Sequence, residues 1–350
     1  MITPTHQALA EGELGTALLH IERGDLSAAG ELVSISIAGG VSCGGNASLY
    51  HGAPALEFVL ARAGRRRTTA TDAVDRVVAD RLAMARSRRA AGTLAPLAEF
   101  DLIRGLTGLG ALLLTRGEPA TLLRDVLAYL VELARPITSD GWQLPGWWCA
   151  DGPGSEPVAG GHANNGAAHG AAGPLALLSL AANQGMKVDG QLEAIDVFAR
   201  WLETYGASYW TTRDQVGDPA PAPASRPSWC YGAVGIARAR QLAGIALGEQ
   251  GRRAAAEDAV SNVLGDPRAM DLTQDAGLCH GWAGLLTVTR AVAADSPEPA
   301  RFAAAIADLE HRTRSGLADL IKPGFLEGRA GAELALSGTS TGWTRALLVN

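Results

Sequence analysis

The feature that most constrains this chain is a recurring glycine pair. Gly-x-x-Gly opens an apolar run at Gly105-Leu-Thr-Gly108, Gly170-Ala-Ala-Gly173, Gly232-Ala-Val-Gly235, Gly281-Trp-Ala-Gly284 and Gly328-Arg-Ala-Gly331, with a degenerate copy at Gly52-Ala-Pro-Ala55. The first glycines lie 53, 65, 62, 49 and 47 residues apart. Six copies at similar spacing mean one supersecondary unit used over and over.

Each unit reads as two helices. The runs behind the glycines, such as 105–117 and 170–185, are rich in Ala and Leu and end at Gly. Between them lie amphipathic patterns at 71–90, 119–135, 189–206 and 299–321, with apolar residues at helical spacing, as in Val126, Leu127, Leu130 and Val131. A helix apolar all round is buried, so the Gly-led helices are expected inside and the amphipathic ones outside. The expectation is an all-α fold of one domain over residues 1–350: an α/α toroid of about six inner and six outer helices, with glycines at the inner N-termini. Strand-like alternation is nearly absent. Two segments, 136–168 and 207–229, break the pattern. They are rich in Gly, Pro and Trp, and loops this long in a compact domain are usually functional. Few residues follow Trp343, so a shortened last helix is expected.

Composition removes several classes. Thirty basic against 36 acidic residues leave a net charge of −6, the wrong sign for a general nucleic-acid binder. With 47% hydrophobic and 19% charged residues the chain has ample core. The N-terminus lacks a basic segment followed by an apolar one, so no secretory signal is read. Residues 157–186 carry no charge but are interrupted by Gly160, Gly161, Asn164, Asn165, Gly166 and Pro174, which argues against a membrane span. A cytoplasmic protein is expected. Its four cysteines, Cys43, Cys149, Cys230 and Cys279, then read as thiols, nucleophiles or metal ligands rather than disulfides.

The chemistry gathers at the repeat starts. Directly before the first glycine stand His51, Arg104, His169, Tyr231, His280 and Glu327; one position earlier stand Tyr50, Ile103, Ala168, Cys230, Cys279 and Leu326. Pseudo-symmetry would put these side chains around one mouth of the toroid. Cys230, Cys279 and His280 together would make a three-ligand zinc site with an open fourth position. The bland alternative is two buried apolar thiols. Asp101 alone reads as a helix-start carboxylate favoured by the dipole, and His169 alone as a core histidine.

The motifs Trp229-Cys230-Tyr231-Gly232, Cys279-His280-Gly281 and Asn164-Asn-Gly-Ala-Ala-His169-Gly170, with the Gly-x-x-Gly repeats, resemble the lanthionine synthetase C-like family, the lanthipeptide (lantibiotic) cyclases. The resemblance runs from about Leu49 to the C-terminal segment. It implies that Cys230, Cys279 and His280 bind a catalytic Zn²⁺ and that His169 is catalytic. Asp101, four residues before Gly105, also matches the family, as do Arg226, four before the first zinc cysteine, and Tyr231 just after it. Ala55 departs from the pattern, and His51 is expected to be structural or to line the wall. The chain resembles a stand-alone cyclase working with a separate dehydratase and transporter.

The implied reaction is a Michael-type addition of a peptide Cys thiol to dehydroalanine or dehydrobutyrine in a dehydrated precursor peptide, giving a thioether ring. A free thiol is mostly protonated at neutral pH, and a coordinating metal removes that proton. His169 is the natural donor of a proton to Cα, Asp101 its orienting partner or a base for the thiol, and Arg226 a stabiliser of the enolate oxygen. One rival is a glutathione-binding or non-catalytic relative on the same zinc-bearing toroid. Another is a different toroid enzyme, such as a glycosidase using two of Asp101, Asp275 and Glu327. A monomer is expected, since the toroid closes on itself.

Overall fold

The computed structural model describes residues 4–117, 120–154, 156–218 and 226–350. Helical hairpins follow one another along the chain: α1 (Glu13–Glu22) with α2 (Leu26–Ile37), and α3 (Ala53–Arg62) with α4 (Thr68–Ala90). After a turn, α5 (Leu97–Phe100), come α6 (Leu106–Leu114) with α7 (Thr121–Leu133), then α8 (Ala172–Asn183) with α9 (Gln191–Tyr205) and α10 (Ala233–Leu247) with α11 (Gln250–Leu264). A second turn, α12 (Pro267–Met270), leads to α13 (Trp282–Ala294) with α14 (Ala303–Ser315), and α15 (Arg329–Ser337) comes last. The Gly-led helices pack in a circle, α1 on α3, α6, α8, α10, α13, α15 and back to α1. Their partners lie outside. The architecture is the expected α/α toroid.

Among the described residues the inner ring has seven members rather than six. The extra one is α1, opened by Gly12-Glu-Leu-Gly15, a copy of the repeat in the first residues of the chain. Burial follows the two patterns. Every residue of α8 except Asn183 is buried, whereas α9 buries Ala194, Ile195, Phe198, Ala199 and Leu202 on one stripe.

The glycines serve a close approach. A backbone collar joins the starts of successive inner helices. Leu326 N–H donates to Ala10 O (3.0 Å), Cys279 to Leu326 (2.8 Å), Cys230 to Cys279 (3.2 Å), Ala168 to Cys230 (3.1 Å), Leu102 to Ala168 (3.0 Å) and Leu9 to Tyr50 (2.9 Å). The chain then folds back on its own helix. A Cβ at Gly108, Gly235, Gly284 or Gly331 would run into the carbonyl oxygen of Leu102, Trp229, Leu278 or Phe325 respectively, three residues before the first glycine in each case. The second repeat differs: Ala55 is accommodated, and Gly52 sits at φ +71° under the Ser42 carbonyl.

The segments expected as loops hold strands. β1 (Ile137–Ser139) and β2 (Trp142–Leu144) form a hairpin whose turn, Asp140-Gly141, has φ of 49° and 79°. Asp-Gly is a strong hairpin signal that period-based reading passed over, because three-residue strands show no alternation. β3 (Cys149–Asp151), β4 (Pro157–Asn164) and β5 (Trp210–Thr212) form an antiparallel sheet in that order, so the two segments zip to each other. Part of the second segment, residues 219–225, lies outside the described residues. Asn165 pins this insert to the toroid: its amide donates to Tyr205 O (2.9 Å) and accepts from Trp201 Nε1 (2.8 Å).

The chain does not end in a shortened helix. After α15 it makes a 3₁₀ turn, Trp343–Leu347, and residues 346–349 are buried inside the ring. Tyr50 Oη donates to Ala346 O (2.8 Å), Trp229 Nε1 to Leu347 O (2.9 Å) and the buried Arg238 Nε to Val349 O (2.8 Å). Among the described residues no helix is long and apolar enough to cross a membrane.

Gly108→Ala is expected to lower stability by about 1–3 kcal/mol or more, because backbone must move. Gly251→Ala, in open space on α11, should be neutral or stabilise by about 0.5–1 kcal/mol. Chemical denaturation of both variants checks the contrast; equal effects would remove the close-approach role of the glycine.

Candidate metal centre

The collar brings the chemistry together. Cys230 and Cys279 are 49 residues apart, yet occupy the same position in neighbouring repeats, and the hydrogen bond between their backbones fixes them side by side. His280 follows directly. One ligand atom from each of Cys230, Cys279 and His280 lies within 4.8 Å of the others. Two sulfurs and an imidazole nitrogen at such separations suit a metal that takes soft and borderline ligands, with room for a fourth.

Neighbours tune these groups. Ser228 Oγ accepts from the N–H of Gly232 (2.9 Å) and Tyr231 (3.3 Å). Its own proton is then free for Cys230 Sγ at 3.6 Å. Hydrogen bonds from Cys279, His280 and Ser228 outweigh burial and bring the Cys230 thiol down to about 5. The same bond to Cys230, helped by burial, pushes Cys279 up. Of the two thiols, Cys230 is the more readily deprotonated. Its bond to Cys230 also raises His280. Asp275 Oδ1 accepts from Gly277 N–H (2.8 Å), and its Oδ2 sits 3.6 Å from His280 Nε2, a carboxylate placed to orient the ring.

On the other side of Cys230 stands a second pair. His169 Nδ1 lies 2.7 Å from Asp101 Oδ2. Asp101 is fully buried, and its other oxygen accepts from the N–H of Arg104 (2.6 Å) and Gly105 (2.8 Å). The carboxylate therefore both ties down the turn that leads into α6 and holds the histidine. With Nδ1 engaged, Nε2 is the nitrogen left to act. The Tyr231 ring lies against His169 at 5.9 Å between centroids and against Tyr209 at 5.4 Å. Burial raises the Tyr231 phenol. Arg226 reaches this region too: it is half-buried, its Nε has no hydrogen-bond partner among the described residues, and its charge acts on Cys279 and His280.

All seven residues singled out in the sequence therefore sit around one end of the toroid. His51 takes its collar place but falls outside the three-ligand group, paired through its backbone with Ser48. The carboxylates considered for a glycosidase have other partners: Asp101 holds His169, Asp275 faces His280 and Glu327 pairs with Lys322 at 2.6 Å. Cys149 is buried and Cys43 exposed, both free.

A family model described as lanthionine synthetase C-like protein matches residues 4–344. The chain belongs to that family. The solved structure of nisin cyclase has the same fold, with a TM-score of 0.80 at 20% identity over 99% of this chain and 93% of that one. No curated protein matches the sequence.

Within this lanthionine synthetase C-like chain the sequence reading missed two residues, Ser228 and Asp275 as the orienter of His280. Both follow from a shared local rule. A small oxygen-bearing side chain at the collar takes backbone N–H groups around the helix start: Asp101 and Ser228 four residues before the first glycine, Asn164 and Asp275 six before it. Aligning the repeats at those positions would have exposed the signal.

Elemental analysis of the purified chain is expected to give about one metal ion per chain, lost in Cys279→Ala at unchanged helicity. Full metal content in Cys279→Ala would remove the three-ligand centre.

Proposed function

We propose that the protein is a zinc-dependent lanthipeptide cyclase. The observation that carries this reading is the placement of a Cys230–Cys279–His280 donor group and an Asp101-held His169 on adjacent steps of one collar. The first supplies a place for a thiol nucleophile and the second a proton source beside it. The substrate is a dehydrated precursor peptide carrying Cys and dehydroalanine or dehydrobutyrine.

The addition forms one carbon–sulfur bond at Cβ, consumes the Cα=Cβ π bond and moves one proton to Cα. Cys230, Cys279 and His280 would hold Zn²⁺, whose Lewis acidity keeps a thiol deprotonated near neutral pH. Ser228 steadies the first of these ligands and Asp275 the third. His169, with Nδ1 tied to Asp101, presents Nε2 to the cavity and delivers the proton to Cα. Arg226 offers its guanidinium to the oxygen on which negative charge develops. Tyr231 and Tyr209 wall the His169 side with aromatic surface. Asp101, whose oxygens already take two N–H groups and an imidazole, acts through His169.

The test is a zinc-loaded chain with a synthetic peptide containing dehydroalanine and Cys. Ring closure consumes the free thiol without changing mass. His169→Ala should keep its zinc and lose about 10²–10⁴-fold in rate. A wild-type chain that binds zinc and free thiols but leaves this peptide open would be a thiol-binding relative instead, and loss of zinc in His169→Ala would move that residue into the ligand set.

A further inference from the structure

The outer surface carries a groove that the proposed chemistry leaves unused. It runs between α2, α3 and the start of α4, with a volume of about 680 Å³. Leu26, Ala29, Val33 and Ile37 of α2 form one wall, and Leu56, Val59 and Leu60 of α3 the floor. α2 stands out among the outer helices. Its sequence, LSAAGELVSISI, holds one charged residue, Glu31. Leu26 and Ile35 are each 51% exposed and Ile37 39%. An outer helix is expected to turn charge to solvent, and an apolar helix beside an apolar groove marks a surface built to be covered.

The two ends of the groove differ. At one end is Val41, next to Ser42, whose carbonyl accepts the N–H of Ala53 (2.9 Å) at the start of α3. That end therefore reaches the collar beside His51, on the face that holds Cys230, Cys279 and His169. At the other end are Arg65 and Arg67, both exposed, with Arg66 between them. Neither Arg65 nor Arg67 makes an ion pair among the described residues. In a chain of net charge −6, this is a cationic terminus on an apolar track that begins at the mouth of the toroid.

We infer that the groove docks a segment of the precursor peptide lying outside the rings, apolar along its length and acidic where it passes Arg65 and Arg67. This rests on the cyclase reading for the identity of the occupant. An extended or helical segment leaving the mouth reaches the groove without crossing the toroid. Apolar burial supplies affinity, and the arginines set direction by pairing with carboxylates. Holding the substrate away from the reacting atoms lets successive cysteines visit one metal centre while the peptide stays attached, which raises their effective concentration.

The experiment uses the full chain and a fluorescein-labelled synthetic amphipathic peptide, leucines on one face and a glutamate cluster at one end, beside the same peptide with lysines for glutamates. Anisotropy is expected to show binding of the glutamate peptide that weakens with salt, at least about tenfold weaker binding of the lysine peptide, and a similar loss in Val33→Asp and in Arg65→Glu/Arg67→Glu. Arg65 and Arg67 are exposed and Val33 is half-buried, so unchanged helicity serves as the folding control for each variant. Fusing the glutamate peptide to the dehydroalanine–Cys substrate should lower KM by about tenfold at constant kcat, an advantage that Val33→Asp removes while sparing the unfused substrate. Equal binding of both peptides, or of the variants, overturns the groove. Binding without any effect of fusion on KM assigns it to another protein, and a dimer broken by Val33→Asp assigns it to a second copy; both overturn the inference. Failure to cyclise either substrate refutes the cyclase reading and leaves the anisotropy result to be judged separately.

Discussion

The hydrogen bonds of the collar are the constraint on which the rest of the molecule depends. Each links the backbone just before one inner helix to the carbonyl of a neighbouring repeat, at 2.8–3.2 Å. Helix starts leave N–H groups without partners inside the helix, and buried backbone groups must find them elsewhere. The toroid answers this by bonding helix starts to one another around the ring. The geometry is demanding, because each chain must double back over its own first helical turn. That is why the second glycine of the pair faces a carbonyl oxygen from Leu102, Trp229, Leu278 or Phe325. The repeat is thus a requirement for close backbone approach, made once per hairpin.

The same collar turns symmetry into chemistry. Positions equivalent by repeat are placed side by side, so whatever stands there shares one mouth. In one repeat the position holds Tyr50, whose hydroxyl bonds to the buried tail; in two others it holds Cys230 and Cys279. The tail closes the ring from within, and Trp229, next to Cys230, is bonded to it. The support of the Cys230–Cys279–His280 group therefore comes from two sources remote in sequence: the collar and residues 346–349.

Much of this was legible in the residues. The helical periods of 189–206 and the apolar run at 170–185 carry enough turns to be read directly. The ring of chemistry followed from aligning copies at the glycines. The first copy, Gly12-Glu-Leu-Gly15, escaped because the repeat was read only where it opens an apolar run, and α1 opens with Glu13. The strands escaped because three-residue pieces show no alternation, and β5 pairs with β4 across the whole of α8 and α9. The tail escaped for a similar reason. Its burial depends on a central space that no local pattern describes.

What the sequence by itself determined is the unit and its count to within one: a glycine-led apolar helix followed by an amphipathic one, and the residues at each start. Those are local facts, set by backbone space and helical period. Only the tertiary structure decided who meets whom. Cys230 and Cys279 become neighbours through a hydrogen bond between repeats, and His169 meets Asp101 across 68 residues of chain. Such meetings depend on ring closure, a cooperative property of all the hairpins at once.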